Sequence, residues 1–284
     1  MPGARWLVAI FSVGIFNYGK HVSTTQSSIV SLGDWLQTDS GQYAREWEQA
    51  RFDAIVADVF GYNAIQLGTP ELDLLRANRM PVKAYCGANL PLEKHAGDWA
   101  GVVQAEPEFL PFETQSIDLL VLFHGLELTE HPHEVLREVD RVLVPEGRIV
   151  LSGFNPWSLW GARNRLPGKK YLPVAANAQV SLPRLKDWFK LLSFDIDLGH
   201  FGCYVPPFAT KKWVDRFSFV EQAGNRWWPV CGSVYVVSAV KRVPGMRLLT
   251  PRWKARQSKR VAARAAGVAL QHNADRVSER PDQT

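Results

Sequence analysis

QAEPEFLPFETQSIDLLVLFHGLELTEHPHEVLREVDRVLVPEGRIVLSGFN, residues 104–155, is the stretch whose reading decides the fold. Leu119-Leu120-Val121-Leu122-Phe123 is an apolar run too short for a helix, introduced by Ser116-Ile117-Asp118, and it reads as a strand buried on both faces. Pro132 suits a first helical turn, and Val135, Leu136, Val139, Val142 and Leu143 then follow at the spacing of an amphipathic helix. Pro145 cannot continue that helix and Gly147 completes a turn, after which Arg148–Ser152 forms a second apolar run ahead of Gly153-Phe154-Asn155-Pro156. Strand, helix and strand joined by short turns imply a parallel pair with a right-handed crossover.

Upstream, Ser31–Phe60 becomes helical, with Tyr43, Trp47, Ala50, Ala54, Ile55 and Val59 near helical spacing and Gly61 as a stop. Asn63–Leu67 reads as the first strand, and Thr69 as N-cap with Pro70 at the first turn predicts a helix to Asn78. Met80–Cys86 and Trp99–Ala105 read as two further strands. Downstream, Pro156–Pro173 has no clear period and reads as an inserted flap reaching to about residue 180. A helix from Ser181 through Leu192 follows, then an alternating strand Phe194–Leu198, a helix over Trp213–Phe219 and a last strand Ser233–Ala239. This predicts one domain over residues 28–242, with an N-terminal extension (1–27) and a basic, disordered tail (243–284).

Composition narrows the class. Cys86, Cys203 and Cys231 are odd in number and lack any CxxC or Cys/His ligand spacing, so neither a disulfide framework nor a metal site is expected, and a reducing, cytoplasmic setting fits. The apolar run Trp6–Phe16 is too short to span a bilayer, so no transmembrane segment is expected. The alternatives for it are a signal peptide or membrane-touching arm, or an unstructured extension. Residues 241–284 hold eleven Lys/Arg against three Asp/Glu, which leaves the rest of the chain mildly acidic although the total is +5. The tail reads either as a solvated solubility segment or as a contact for nucleic acid or an anionic surface.

The quoted stretch resembles the central segment of class I S-adenosylmethionine-dependent methyltransferases of the type 11 group, which includes quinone-biosynthesis enzymes. The resemblance rests on Glu106 ahead of Leu110-Pro111-Phe112, on Ser116-x-Asp118, on Leu126-Glu127 and on Leu136-Arg137-Glu138. It implies a Rossmann-like, seven-stranded, mostly parallel sheet with helices on both faces and the last strand pair reversed. It also implies S-adenosylmethionine as cofactor and an unidentified, small-molecule acceptor. Glu106 would read the adenine amine, with Glu108 as the register alternative, and Leu110 and Phe112 would be its apolar neighbours.

Ligands in such sheets sit beyond the carboxyl ends of the strands. That rule selects Gly68 and Thr69 after the first strand, Tyr85–Asn89 after the second, Glu106 after the third, His124–Glu127 after the fourth and Asn155 after the fifth. His124 is the candidate base or acceptor-orienting group, against a structural role at a strand end. Trp157, Trp160, Tyr204, Trp227 and Trp228 would wall the acceptor, or else pack as ordinary core. Glu127 is expected to cap or brace. The first loop departs from the family: Gln66 stands where an acidic residue is usual, and Pro70 and Leu72 stand where glycines let a cofactor approach. No Asp or Glu occupies 85–89 to hold ribose hydroxyls, although Asn89 offers a neutral contact, and the same gaps argue against a nicotinamide dinucleotide site. Besides an active enzyme, the expectations therefore include a non-catalytic binding or scaffold member of the fold, or a nucleic-acid-binding protein working through its tail and the arginines of its flap.

Overall fold

The computed structural model describes residues 31–88, 99–168, 170–207, 221, 224 and 226–243. The expected N-terminal extension, the helix over Trp213–Phe219, the Asn89 contact and the basic tail all lie outside the described residues. Seven strands form one sheet: β1 (Asn63–Leu67), β2 (Val82–Gly87), β3 (Gly101–Gln104), β4 (Ile117–Leu122), β5 (Leu143–Phe154), β6 (Phe194–Gly202) and β7 (Val234–Lys241), in the order β3-β2-β1-β4-β5-β7-β6. The first five are parallel, and β7 runs antiparallel to both neighbours. This is the expected Rossmann-like sheet with its final pair reversed.

Period-two alternation explains the unbroken apolar run of β4. Leu119, Val121 and Phe123 enter one core with Trp35, Phe52 and Val56, whereas Leu120 and Leu122 enter the other with Leu136, Val139 and Phe189. The first core is covered by α1 (Leu32–Leu36) and α2 (Asp39–Val56), the second by α3 (Pro132–Val142) and α5 (Leu182–Leu191). The helical stretch expected within 31–60 is α2, and the start of the segment adds the short α1. Ser31 caps α1 through the amide of Asp34 at 3.1 Å, and Thr38 caps α2 through that of Gly41 at 3.1 Å. A Cβ on Gly41 would lie 2.0 Å from the Trp35 carbonyl, so only glycine permits so close a corner.

Two expectations are corrected. Residues 70–77 form turns, with no helix after β1. The segment expected as a flap is built into the domain: α4 (Leu159–Arg165) buries Trp160, and Leu172 and Val174 join the first core. Buried Asn164 fastens it, donating to the Val174 carbonyl at 2.9 Å and accepting from the amides of Tyr171 and Leu172 at 3.2 Å. Its end is tied to α1, because the Trp35 indole donates to the Tyr171 carbonyl at 3.0 Å.

Asp118 shows why Ser-x-Asp precedes β4. Its Oδ2 accepts from the amides of Tyr62 and Asn63, both at 2.9 Å, while the Asn63 side chain donates to the Ser116 carbonyl at 2.8 Å. The start of β1 is therefore pinned to the start of β4. Asp118→Ala removes two charge-assisted bonds and should lower unfolding stability by about 3 kcal/mol, with Asp118→Asn losing less. Urea denaturation of the three proteins checks this; equal midpoints would refute it.

Candidate active site

A cavity of about 740 Å³ opens beyond the carboxyl ends of β1, β2, β3 and β4 and is closed on one side by Leu32 and Gly33 of α1. Its size suits a nucleoside-sized ligand. The β1 end contributes Leu67 through Glu71, β2 contributes Tyr85, Gly87 and Ala88, and the loop after β3 contributes Glu106 to Glu108. The β4 end and the loop into α3 supply Phe123, Gly125 and Leu128 to His131. The Thr129 hydroxyl donates to the Glu108 carboxylate, which ties the loops after β3 and β4 together across the wall.

The loop after β1 is shaped by Gln66. Its buried amide donates from Nε2 to the carbonyls of Thr69 at 3.1 Å and Leu72 at 2.7 Å, and its Oε1 accepts from the Leu74 amide at 2.9 Å. Gly68 and Thr69 both adopt left-handed backbone, with φ 67° and 52°. Nothing lies within 4 Å of a Cβ built on Gly68, so its bare backbone faces open space on the cavity wall. Leu72 is not at the cavity; it is buried in the first core.

Of the residues that sequence reasoning placed at the site, the structure brings Gly68, Thr69, Glu106 and its register alternative Glu108 to the cavity. Leu110 and Phe112 pack on the second core. Their carbonyls hold the Arg141 guanidinium, each at 2.8 Å, and Arg141 in turn pairs with Glu138. That guanidinium holds the Glu138 carboxyl below its usual range. Asn155, Trp157 and Tyr204 do not line the cavity. The Asn155 amide donates to the carbonyls of Val230 and Gly232 at 2.8 and 2.9 Å, Tyr204 is buried, and Trp157 is exposed on the surface. The aromatic wall is not assembled either, since Trp160 is core while Trp227 and Trp228 are exposed.

His124 is the largest correction. Its φ of 50° ends the strand alternation and turns the ring toward α2, away from the cavity. The imidazole is fully buried, stacked on Phe154 with centroids 4.0 Å apart, and held between two buried glutamates. Nδ1 lies 3.1 Å from Glu127 Oε2, and Nε2 lies 3.1 Å from Glu48 Oε1 as an ion pair without hydrogen-bond alignment. The other Glu127 oxygen accepts from the Phe154 amide at 2.9 Å. Burial alone would lower the imidazole pKa, but the Glu48 and Glu127 carboxylates outweigh it and raise it to about 9, while burial raises the Glu127 carboxyl. A group so enclosed cannot reach an acceptor. Tyr85 lines the cavity from the 85–89 stretch that the strand-end rule selects, whereas Glu71, Glu130 and His131 were not singled out and stand in the loops that follow β1 and β4. The Tyr85 hydroxyl is raised to about 12, by burial first and by Glu71 next, and it lies where a Cβ on Gly87 would fall, 2.3 Å away.

Comparison with known proteins gives this arrangement its family. A family model described as a methyltransferase domain, type 11, matches residues 82–151. The uncharacterized protein YafS of Escherichia coli (strain K12) is 42% identical over 169 residues, which cover 60% of this chain and 68% of YafS. The chain belongs to the class I S-adenosylmethionine-dependent methyltransferases, type 11 group. The ubiquinone/menaquinone biosynthesis C-methyltransferase UbiE of Bartonella henselae is 29% identical over 154 residues, covering 50% of this chain and 57% of UbiE, less than two thirds of its length. Among solved structures, a complex between the Haloferax volcanii Trm112 methyltransferase activator and a protein assigned as a methyltransferase matches with a TM-score of 0.52, 15% identity and coverage of 76% of this chain and 98% of that one. That likeness concerns the fold.

In this chain the Gln66 departure at β1 and the buried triad of His124, Glu48 and Glu127 each yield a prediction. Gln66→Glu would restore the acidic residue usual in the family, yet an ionised carboxylate cannot donate to the carbonyls of Thr69 and Leu72. We expect the variant to lose about 3 kcal/mol or more at pH 8, with recovery on acidification as the carboxyl takes up a proton. Stability of Gln66→Glu equal to wild type by urea denaturation at pH 8 would show that the amide is not the staple. For the buried triad, a raised imidazole pKa stabilises the fold fully below its unfolded value of about 6.5 and loses that contribution as pH climbs through about 9. The raised Glu127 carboxyl acts in the same sense from a lower pH upward. Wild-type stability should therefore decline between pH 6.5 and 9, and His124→Gln, which leaves buried carboxylates without their cation, should cost about 3–5 kcal/mol at neutral pH. A flat wild-type profile across that range would contradict the assignment.

Proposed function

We propose that this chain is a working methyltransferase, moving the methyl group of S-adenosylmethionine to a small-molecule acceptor in the 740 Å³ cavity. The observation that carries the reading is the pairing of the open Gly68 backbone with the exposed Glu106 carboxylate on one cavity wall. S-adenosylmethionine, when bound, supplies a methyl group on a sulfonium, whose carbon–sulfur bond breaks as the acceptor–carbon bond forms and whose sulfur keeps the electron pair. The residues present fit such a ligand. Gly68 and Thr69 would receive it along the backbone, Glu106 would accept from the adenine amine, and Glu71, Glu108 and Glu130 give the wall negative charge that suits a cation.

Tyr85 and its hydroxyl take the place of the missing β2 carboxylate as the polar group there. The chain's main task in displacement is alignment, because holding acceptor and sulfonium in line accounts for most of what a transferase must contribute. His131, exposed on the wall at the start of α3, is the imidazole available to orient an acceptor or take its proton, the role that His124 is too buried to fill. A small-molecule acceptor also agrees with the Bartonella henselae relative, a ubiquinone/menaquinone biosynthesis C-methyltransferase.

Calorimetry with S-adenosylmethionine and its demethylated product tests the reading. Wild type should bind both, Glu106→Gln should weaken binding about tenfold or more, and Phe109→Ala, on an exposed side chain that does not line the cavity, should leave it unchanged. No heat at high protein concentration, with Glu106→Gln indistinguishable from wild type, would overturn it.

A further inference from the structure

The face around α4 is inverted relative to an ordinary surface helix. Its inward side carries Trp160, Gly161 and Asn164, while its outward side carries Leu159, Ala162, Arg163 and Leu166 at helical spacing. Leu159 and Leu166 are 57% and 54% exposed, and Trp157, one residue before the cap, is 72% exposed. The turn ahead of β7 adds Trp227, Trp228 and Val230, at 70%, 62% and 64%. The two segments are joined at their roots by one side chain: Asn155 donates to the Val230 carbonyl at 2.8 Å and accepts from the Trp157 amide at 3.1 Å. Six large apolar side chains therefore stand out from two adjoining segments. Isolated exposed hydrophobics are ordinary, but a concentration of this kind marks a contact surface.

Within these two segments the charges have one sign. Residues 155–168 and 226–232 contain Arg163, Arg165 and Arg226 and no Asp or Glu, and all three arginines are exposed. The Arg165 guanidinium lies 5.8 Å over the Trp157 ring, so its charge is held at the aromatic surface. Tryptophan favours the headgroup level of a bilayer, leucine and valine the acyl boundary beneath it, and arginine the lipid phosphates. Single-stranded nucleic acid would also use tryptophan and arginine, but Leu159, Leu166 and Val230 offer nothing to a base and have a place in a bilayer.

We propose that the surface formed by α4 and the turn before β7 docks this protein on an anionic lipid bilayer, with Trp157, Trp227 and Trp228 at headgroup level. The proposal rests on the surface alone and is independent of the methyl-transfer reading. α4 follows the carboxyl end of β5, so the docking face belongs to the same edge of the sheet as the cavity.

The test uses the full chain, sedimented with vesicles of phosphatidylcholine containing one quarter phosphatidylglycerol, alongside pure phosphatidylcholine vesicles and a single-stranded oligonucleotide. Wild type should pellet with the anionic vesicles and show a blue shift of tryptophan emission. The triple variant Trp157→Ser, Trp227→Ser, Trp228→Ser should keep its thermal transition, because all three side chains are exposed, and should partition about tenfold or more weakly. Should the triple variant lose its transition, Leu159→Ser with Leu166→Ser provides the same comparison. Equal partitioning of folded variant and wild type would overturn the proposal, leaving any attraction to other basic segments. Absence of vesicle binding, or oligonucleotide binding that depends on the same tryptophans without vesicle binding, would overturn it as well.

Discussion

The buried contact of His124 with Glu48 and Glu127 is the constraint around which the cavity-bearing half of the fold is arranged. Glu48 belongs to α2, His124 to the end of β4 and Glu127 to the loop into α3, and the second oxygen of Glu127 holds the last amide of β5. One imidazole thus fixes the relation of a helix, two central strands and a loop. Ion groups with no exposure are costly to desolvate, and they persist because removing any one leaves the others uncompensated. Phe123 and Gly125, on either side of His124, are both cavity wall. Locking the ring into the core therefore sets the wall without placing the ring in it.

Gln66 plays the corresponding part at β1. A loop leaving a strand without a following helix has amides and carbonyls that need partners. The Gln66 amide satisfies three of them, at Thr69, Leu72 and Leu74, which holds the loop in consecutive turns and leaves Gly68 and Thr69 in left-handed backbone. A carboxylate at 66 would be suited to a ligand but not to this loop. Of the two positions where glycines are usual farther along, Leu72 points into the core, whereas Pro70 stands on the cavity wall beside the open backbone of Gly68.

How far this could be read from the chain follows from the same physics. The sheet was legible because β4, β5 and β7 are apolar on both faces, and only a covered parallel or mixed sheet buries such runs; α3 was legible because its apolar positions keep one face. The helix expected over Pro70–Asn78 satisfied local rules, an N-cap threonine and a first-turn proline, but Gln66 takes the Leu72 carbonyl and Leu74 amide that a helix would use. Tertiary hydrogen bonding overrode propensity. His124 misled for a different reason: alternation along β4 stops at Phe123, and a positive φ, which sequence pattern does not encode, redirects the next side chain. Trp157 and Trp160 stand three residues apart and look alike in sequence, yet one is surface and the other core, because Gly161 and Asn164 set which side of α4 faces inward.

Charge distribution decides whether an acidic cavity and a basic docking face can share one edge of a sheet. Like charges repel an anionic surface only within about a Debye length, roughly 8 Å at physiological ionic strength. Neighbouring strands are about 4.8 Å apart, so β3, which carries Glu106 and Glu108 beyond its end, stands four spacings from β5, or about 19 Å. β1, with Glu71, stands two spacings away, about 10 Å. The glutamates that would hold a cationic methyl donor are therefore screened from a bilayer touched by α4, while Glu130, beyond the adjacent strand β4, is the one close enough to feel it. An arrangement with the acidic loops next to β5 would set the two surfaces against each other. The strand order separates them, because β4 and β1 lie between β5 and β2.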